Sequence, residues 1–329
     1  MAAATGHAKS LWCEAPGRYG LRDVELPVQG ADQVLVRALH SCVSRGTERL
    51  VFKGRVPASE AERMRCPFMD GDFSFPVKYG YALVGVVDDG PPEIAGQPCF
   101  LLHPHQTQMV VPIDALRLLP TALPPRRATL AANMETALNV AWDCGASMGD
   151  RVLILGAGVV GLLLARLVAQ IPGAEVVVCD QDPGKRAAAE AMGAVFCEPG
   201  ALTPPFDVAV NATGVGTALQ TAIDVMGREG RIVEASWHGT AQSVLELGGA
   251  FHSQRLSLVS SQVSVIPPVR APRWDYGRRF AAVTRLLDDP ALDALFTHTV
   301  AFDDAPTALP PLMDDGEGAI AISIDYCGA

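Results

Sequence analysis

The sequence of 329 residues has no run of about eighteen apolar residues, so no segment reads as a membrane span. Its start, "MAAATGHAKSLW", lacks a basic stretch followed by an apolar core, and no secretory signal is expected. Basic residues are in deficit: 26 Lys and Arg against 36 Asp and Glu give a formal charge of −10, which argues against a general nucleic-acid binder. There is no internal repeat and no low-complexity run. The eight cysteines, at 13, 42, 66, 99, 144, 179, 197 and 327, include no CxxC pair, which removes a structural zinc site and a small disulfide framework. They read as small buried hydrophobes in a reducing, cytoplasmic setting. What is present is a globular composition, 49% apolar and 19% charged, in a chain long enough for two domains.

"RVLILGAGVVGLLLARLVAQ", 151–170, carries the strongest local signal. Residues 151–155 suit a buried parallel strand. Gly156, Gly158 and Gly161 follow as G-x-G-x-x-G, Val159 and Val160 lie at the turn, and a Leu- and Ala-rich helix begins. "AEVVVCD" is a second buried strand ending at Asp180, 19 residues beyond Gly161. The first glycine permits the tight turn, the second lets a pyrophosphate approach the backbone, and the third lets helix and sheet pack closely. The helix N-terminus offers unpaired N–H groups to phosphate. A carboxylate at Asp180 accepts hydrogen bonds from ribose hydroxyls and repels a 2′-phosphate, which favours NAD(H) over NADP(H). Lys185 and Arg186 stand close enough to lean toward an adenosine phosphate, or simply to open a solvated helix at 184–193.

Strand and helix continue to alternate: "FDVAVNATG" (206–214), a helix at 216–227, "GRIVEAS" (230–236) and "RLSLVSSQV" (255–263). This predicts a doubly wound parallel sheet, an α/β Rossmann domain, with ligands outside the carboxyl ends of its strands. Asn211, Thr213, Gly214, Ser260 and Ser261 thereby become candidate cofactor contacts, with ordinary turn chemistry as the alternative. The first 120 residues carry short β-type runs between Pro and Gly turns, as an irregular antiparallel β domain does. After 265 come a "PPVRAP" loop, a helix at 274–288 and a last strand at 319–326. The expected division is a β domain over 1–130, an inserted nucleotide domain over 131–265, and a return to the first domain over 266–329.

"KYGYALVGVV", 78–87, reads as a tight turn into a buried strand, with glycines at 80 and 85. "SRGTE", 44–48, precedes it. On these motifs the chain resembles the medium-chain dehydrogenase/reductase superfamily, with its GroES-like β domain and inserted Rossmann domain, over nearly its whole length. Zinc members read Cys-Gly-Thr-Asp at the first place and Gly-His-Glu-x-x-Gly at the second. Here Arg45 stands for the ligand cysteine, Gly46 and Thr47 match, Glu48 replaces the aspartate, and Tyr81 and Ala82 replace His-Glu. Glu135, in "METALNVAW", falls where some members have a third ligand, and the four-cysteine lobe is missing. The short strings "GTE" and "FPVKYGY" are similar to a subgroup that includes the bacteriochlorophyllide hydroxyethyl dehydrogenases.

The resemblance implies a zinc-independent, NAD(H)-dependent oxidoreductase acting on a secondary alcohol or carbonyl as a homodimer. A cation at Arg45 repels a dication and is expected to pair with Glu135. Tyr81 is then the candidate acid/base or oxyanion donor, Thr47 its relay, and Arg45 the charge that favours phenolate. The alternative is Tyr81 as an aromatic plug in the zinc hole. His105 is a candidate shuttle, although His103 and His105 also read as surface residues. Lys78 beside Tyr79, His252 and the basic stretch 270–279 are weaker candidates. Zinc held by relocated ligands (Cys42, His103, His105, Glu135), an NADPH-dependent enoyl or quinone reductase, and a nucleotide-binding non-enzyme stay open beside the leading reading.

Overall fold

The computed structural model describes residues 7–314, 316 and 318–328. The chain divides into two compact units: 1–132 with 298–316 and 321–329, and 133–297 with 317–320.

The first unit opens with β1 (His7–Ala15), β2 (Arg18–Glu25) and β3 (Gln33–Val43), followed by the short helix α1 (Thr47–Phe52). Then come β4 (Asp70–Gly71), β5 (Val77–Lys78), β6 (Leu83–Asp89), β7 (Pro98–Leu101), β8 (Gln108–Pro112), β9 (Arg117–Leu118) and a helical turn, α2 (Pro125–Ala128). In β3 the apolar residues Val34, Val36 and Ala38 alternate with polar ones and are buried, the period of two that turns one face of a strand to the core.

The second unit holds α3 (Ala131–Cys144, shared at its first turn), β10 (Arg151–Leu155), α4 (Val159–Val168), β11 (Glu175–Cys179), α5 (Arg186–Ala191) and β12 (Val195–Cys197). It continues with β13 (Phe206–Asn211), α6 (Gly216–Val225), β14 (Met226–Glu234), β15 (Ser257–Ser260) and α7 (Tyr276–Leu286). The chain returns to the first unit through β16 (Phe296–Ala301), α8 (Ala305–Asp314) and β17 (Ala321–Asp325).

Two sheets build the first unit. One has the order β2-β1-β5-β4; the other is seven-stranded, β16-β17-β3-β6-β7-β9, with β8 paired to β3. Their core gathers Leu11, Val34, Phe52, Leu83, Met109, Phe302 and Ile324. The second unit is one six-stranded sheet, β12-β11-β10-β13-β14-β15, and every pair in it is parallel. Its central strand, Arg151–Leu155, is buried on both faces after the first residue, as a strand covered by helices must be.

Two expectations change. Residues 266–297 group with the second unit and not with the returning segment. The reason is α7. Arg279, in the basic stretch that reads from sequence as either a substrate contact or a solvated helix face, is buried and donates to Glu135 Oε1 (3.0 Å), Asn139 Oδ1 (3.2 Å) and the Val263 carbonyl (2.6 Å). The cysteines are all free, and five are buried, but Cys66 and Cys197 are partly exposed and Cys327 is exposed. Among the described residues no helix is long and apolar enough to cross a membrane.

Arg279→Ala would remove a donor shared by the half-buried Glu135 carboxylate, buried Asn139 and the Val263 carbonyl, and should cost about 2 kcal/mol. Urea unfolding followed by tryptophan fluorescence checks this. A change below about 0.5 kcal/mol would place Arg279 among ordinary surface positions.

Candidate active site

The segment between β3 and α1 folds back on itself. Glu48 N–H donates to the Ser44 carbonyl (2.9 Å) and Ser44 N–H donates to Glu48 Oε1 (2.8 Å), so the two residues close a tight turn reciprocally. This turn drives the Glu48 carboxylate inward until only 4% of the residue is exposed. A buried carboxylate needs partners on both oxygens. The second partner is His105, whose Nε2 lies 2.9 Å from Glu48 Oε2. His105 is itself 1% exposed, and its Nδ1 meets Ser41 Oγ at 2.8 Å. Ser41 Oγ also lies 2.9 Å from the Tyr326 hydroxyl.

Gly80 explains part of the opening motif. Its φ is +147°, and a Cβ there would come within 3.0 Å of His105 Nε2. The glycine is required by the imidazole packed against the backbone.

Tyr81 follows. Its ring packs against the core of the first unit and meets Tyr79 edge-on at 6.1 Å. Burial and then the negative charge of Glu48 push the Tyr81 phenol well above its ordinary value, and the nearby Ser44 and Thr47 side chains offset this only partly. The expected lowering by Arg45 is therefore corrected: Arg45 is not among the groups that set this phenol, which is held neutral. The Arg45 guanidinium lies instead against the chain after α8, where a Cβ on Gly316 would come within 2.7 Å of Nη2. Glu135, expected as Arg45's partner, belongs to the second unit and accepts the hydrogen bond from Arg279.

The histidines are not surface residues. His103 is 4% exposed, its Nδ1 is 2.8 Å from the Pro104 carbonyl, and burial lowers its pKa to about 4. Lys78 is also buried, with Nζ 3.3 Å from Gln106 Oε1, while the Tyr79 hydroxyl donates to the Met64 carbonyl (3.1 Å). His252 is exposed.

The donor set fits catalytic zinc poorly. Such a site needs three ligands of imidazole, thiolate or carboxylate type. Among the described residues no three His, Cys, Asp or Glu side chains gather to hold a metal ion. His105 has both ring nitrogens engaged, and burial pushes the Cys42 thiol up to about 12, so it resists becoming thiolate.

The second unit fits a dinucleotide. Gly161 lies so close to the preceding turn that a Cβ would fall 2.0 Å from the Gly156 carbonyl oxygen. Gly158 caps α4, and a Cβ there would meet nothing within 4 Å, leaving open space for a pyrophosphate at the helix N-terminus beside Val159 and Val160. Asp180 ends β11's turn with its oxygens already in use: Oδ2 accepts from Ala157 N–H (2.7 Å), Oδ1 from Asp182 N–H (2.9 Å), and Lys185 Nζ lies 3.2 Å from Oδ2.

Other expected contacts serve the turn itself. Asn211, wholly buried, donates to Glu234 Oε2 (2.7 Å) and accepts from the Thr213 hydroxyl (2.6 Å). Gly214 completes that turn at φ +70°. Ser261 Oγ donates to Asp143 Oδ2 (2.6 Å), while Ser260 is exposed. Ser41, Ser44 and Tyr326 were not singled out from sequence. The four-residue spacing of Ser44 and Glu48 was a usable signal; Tyr326 is brought in only by the pairing of β17 with β3.

No family model matches the chain. By sequence it is similar to 2-dehydro-3-deoxy-L-galactonate 5-dehydrogenase from Pseudoalteromonas atlantica, 28% identical over 205 residues covering 54% of this chain and 60% of that protein. It is also similar to L-threonine 3-dehydrogenase from a Chelativorans species, 30% identical over 180 residues covering 48% and 46%. The chain thus spans about half the length of the curated relatives it matches. By structure it is similar to 2R,3R-butanediol dehydrogenase from Bacillus subtilis, with TM-score 0.78, 16% identity, and 97% and 99% of the two chains covered. An Escherichia coli alcohol dehydrogenase complexed with NADH gives 0.77 at 17% identity, covering 97% and 99%. A putative zinc-binding dehydrogenase from Sinorhizobium meliloti bound to NADP gives 0.76 at 18% identity, again covering 97% and 99%. The chain has the medium-chain dehydrogenase/reductase fold, as its motifs imply.

Gly161→Ala should lower stability by about 3 kcal/mol through the clash with the Gly156 carbonyl. Thermal melts check this; an unchanged midpoint would show that α4 shifts freely.

Proposed function

We propose that the protein is an NAD(H)-dependent oxidoreductase that interconverts a secondary alcohol and a carbonyl without a catalytic zinc. The observation that carries this reading is the Tyr81 phenol, with the Ser44 and Thr47 side chains beside it, at the place where zinc members of the resembled family keep a metal ligand. The bound nicotinamide supplies or accepts the hydride. The chain's own residues supply the rest. A neutral phenol is a hydrogen-bond donor, so Tyr81 serves a developing alkoxide as oxyanion donor and gives up its proton in the reduction direction. Thr47 and Ser44 orient that hydroxyl. Glu135, tied to Arg279, is assigned to positioning α3. His105 holds Glu48.

On the nucleotide side, Gly156, Gly158 and Gly161 form the pyrophosphate turn, with Val159 and Val160 lending backbone N–H groups. Asp180 receives the ribose hydroxyls by exchanging its present partners. Lys185, paired to that carboxylate, partly neutralises it, and this favours NADP(H) as the second reading of cofactor choice. The structural neighbour bound to NADP is consistent with it. The reading includes a cytoplasmic homodimer and a small alcohol or carbonyl as substrate.

Fluorescence titration should show NADH bound more tightly than NADPH, with the preference falling about tenfold in Asp180→Ser. Equal affinities in the wild type would transfer the reading to NADP(H). Turnover should be measured on butanediol, L-threonine and hexitols, the last as a probe of larger polyols. On the best substrate, Tyr81→Phe should lower kcat about 100-fold with NADH affinity unchanged. Near-normal turnover would make the ring a plug and remove Tyr81 from the chemistry.

A further inference from the structure

Cys179 and Cys197 end the neighbouring strands β11 and β12, and they are Cα partners, the last pair in that parallel ladder. Partners at one level of a ladder turn their side chains to the same face of the sheet. Cys179 accordingly lies in the apolar core with Leu155 and Phe206, and Cys197 packs against that same core. Both thiols are free. Each is among the groups that set the other's acidity, as close neighbours are. Adjacent strands stand about 4.8 Å apart, inside the window of about 4.4–6.8 Å between Cα atoms that a disulfide spans.

The two thiols are not equally accessible. Cys179 is 4% exposed, and burial pushes its thiol up to about 12. Cys197 is partly exposed; burial raises its thiol as well, and the Arg186 guanidinium opposes the rise. An oxidant therefore meets Cys197 first. The pair also abuts the glycine turn. The Cys179 carbonyl accepts from Gly156 N–H (2.8 Å), and the Cys197 carbonyl accepts from Asp180 N–H (3.2 Å). Asp180 Oδ2 in turn accepts from Ala157 N–H (2.7 Å). These bonds tie both cysteines to the first glycine of the turn and to the carboxylate assigned to the ribose.

We propose that Cys179 and Cys197 are an oxidative modification site, a thiol pair that a peroxide closes into a disulfide, and that the closed form binds the dinucleotide more weakly. The second half rests on the dinucleotide reading of the Gly156–Asp180 segment. In the first step the Cys197 thiolate attacks one oxygen of hydrogen peroxide and the O–O bond breaks. Cys197 becomes a sulfenic acid, and the departing hydroxide takes up the thiol's proton as water. In the second, the Cys179 sulfur attacks the Cys197 sulfur, the S–O bond breaks, and the hydroxide leaves with the Cys179 proton as a second water. Two thiols and one peroxide give one disulfide and two waters; the sulfurs lose two electrons and the peroxide gains them. Closure draws the sulfurs to about 2.05 Å and resets the two strand ends. Gly156 and Asp180 follow through the bonds above, and the turn loses the shape that admits pyrophosphate and ribose. A dithiol reductant reverses the change.

Reduced protein should be treated with hydrogen peroxide, blocked with N-ethylmaleimide and digested with trypsin without reductant. Trypsin cuts after Lys185 and Arg186, between the two cysteines, so a disulfide appears as two linked peptides. Thiolate is the nucleophile, so the link should form about tenfold faster per pH unit between about pH 7 and 8. NADH affinity, read by fluorescence, should fall about tenfold on oxidation and return with dithiothreitol. Cys197→Ala and Cys179→Ala should each bind NADH within about twofold of the reduced wild type and lose none of that affinity to peroxide. Cys66→Ala, which removes another partly exposed thiol, should respond as the wild type does. Oxidation at Cys66 and Cys327 with no link between 179 and 197 would overturn the site. A mapped link with NADH affinity unchanged within about twofold would overturn its effect on binding. If reduced wild type binds neither NADH nor NADPH, the dinucleotide reading fails and the effect with it, while the peptide map still decides the thiol pair.

Discussion

The contact between Glu48 and His105 is the constraint on which the first unit's site depends. A carboxylate at 4% exposure is stable only if both oxygens are bonded, and the fold supplies Ser44 N–H for one and His105 for the other. Once the imidazole is fixed there, its neighbours are fixed as well. Gly80 has to be glycine because the ring lies against its backbone. Ser41 and Tyr326 have to be polar because the far nitrogen needs a partner. Tyr81 has to be a neutral phenol because it is buried beside the same negative charge. One buried charge thus sets five residues, His105, Gly80, Tyr81, Ser41 and Tyr326, from four separate stretches of chain.

The two units differ in how they prepare for chemistry. The second unit presents backbone: a close turn, an open helix N-terminus and a carboxylate already engaged by N–H groups and an ammonium. In the proposed reading such a site binds a dinucleotide by shape and dipole. The first unit presents side chains, and what they do depends on their identities. The relatives that this fold resembles, some of them described as zinc-binding, share the backbone frame. In the proposed reading, hydroxyl groups backed by a buried acid–imidazole pair take over the stabilisation of oxygen charge.

The parallel sheet was legible because its grammar is local. Apolar runs bounded by glycine turns gave β10, β11, β13 and β14 nearly in place, since a strand covered on both faces can tolerate little else. The candidate site was legible only in part. Arg45 and Thr47 lie in one short motif and Tyr81 in another, each contiguous, and both were legible. Burial of His103 and His105 was not, because "HPHQ" carries polar letters and their environment comes from strands far away in sequence. Tyr326 lies 285 residues from Ser41. The effect on the Tyr81 phenol had the wrong sign from sequence because Arg45 is nearer along the chain than it is influential in space, while Glu48 points inward. The domain boundary slipped to 298 for a similar reason: Arg279 looks like one more surface cation until its three acceptors are known.

The most direct test of the central claim, that bonded side chains do the work of a metal here, is metal content read together with turnover. Purified protein should be incubated with zinc, dialysed, and measured by plasma emission while alcohol oxidation is assayed with and without a chelator. The account predicts far less than one zinc per chain and chelator-insensitive turnover. One tightly held zinc per chain, with turnover lost to chelator and restored by zinc, would contradict it.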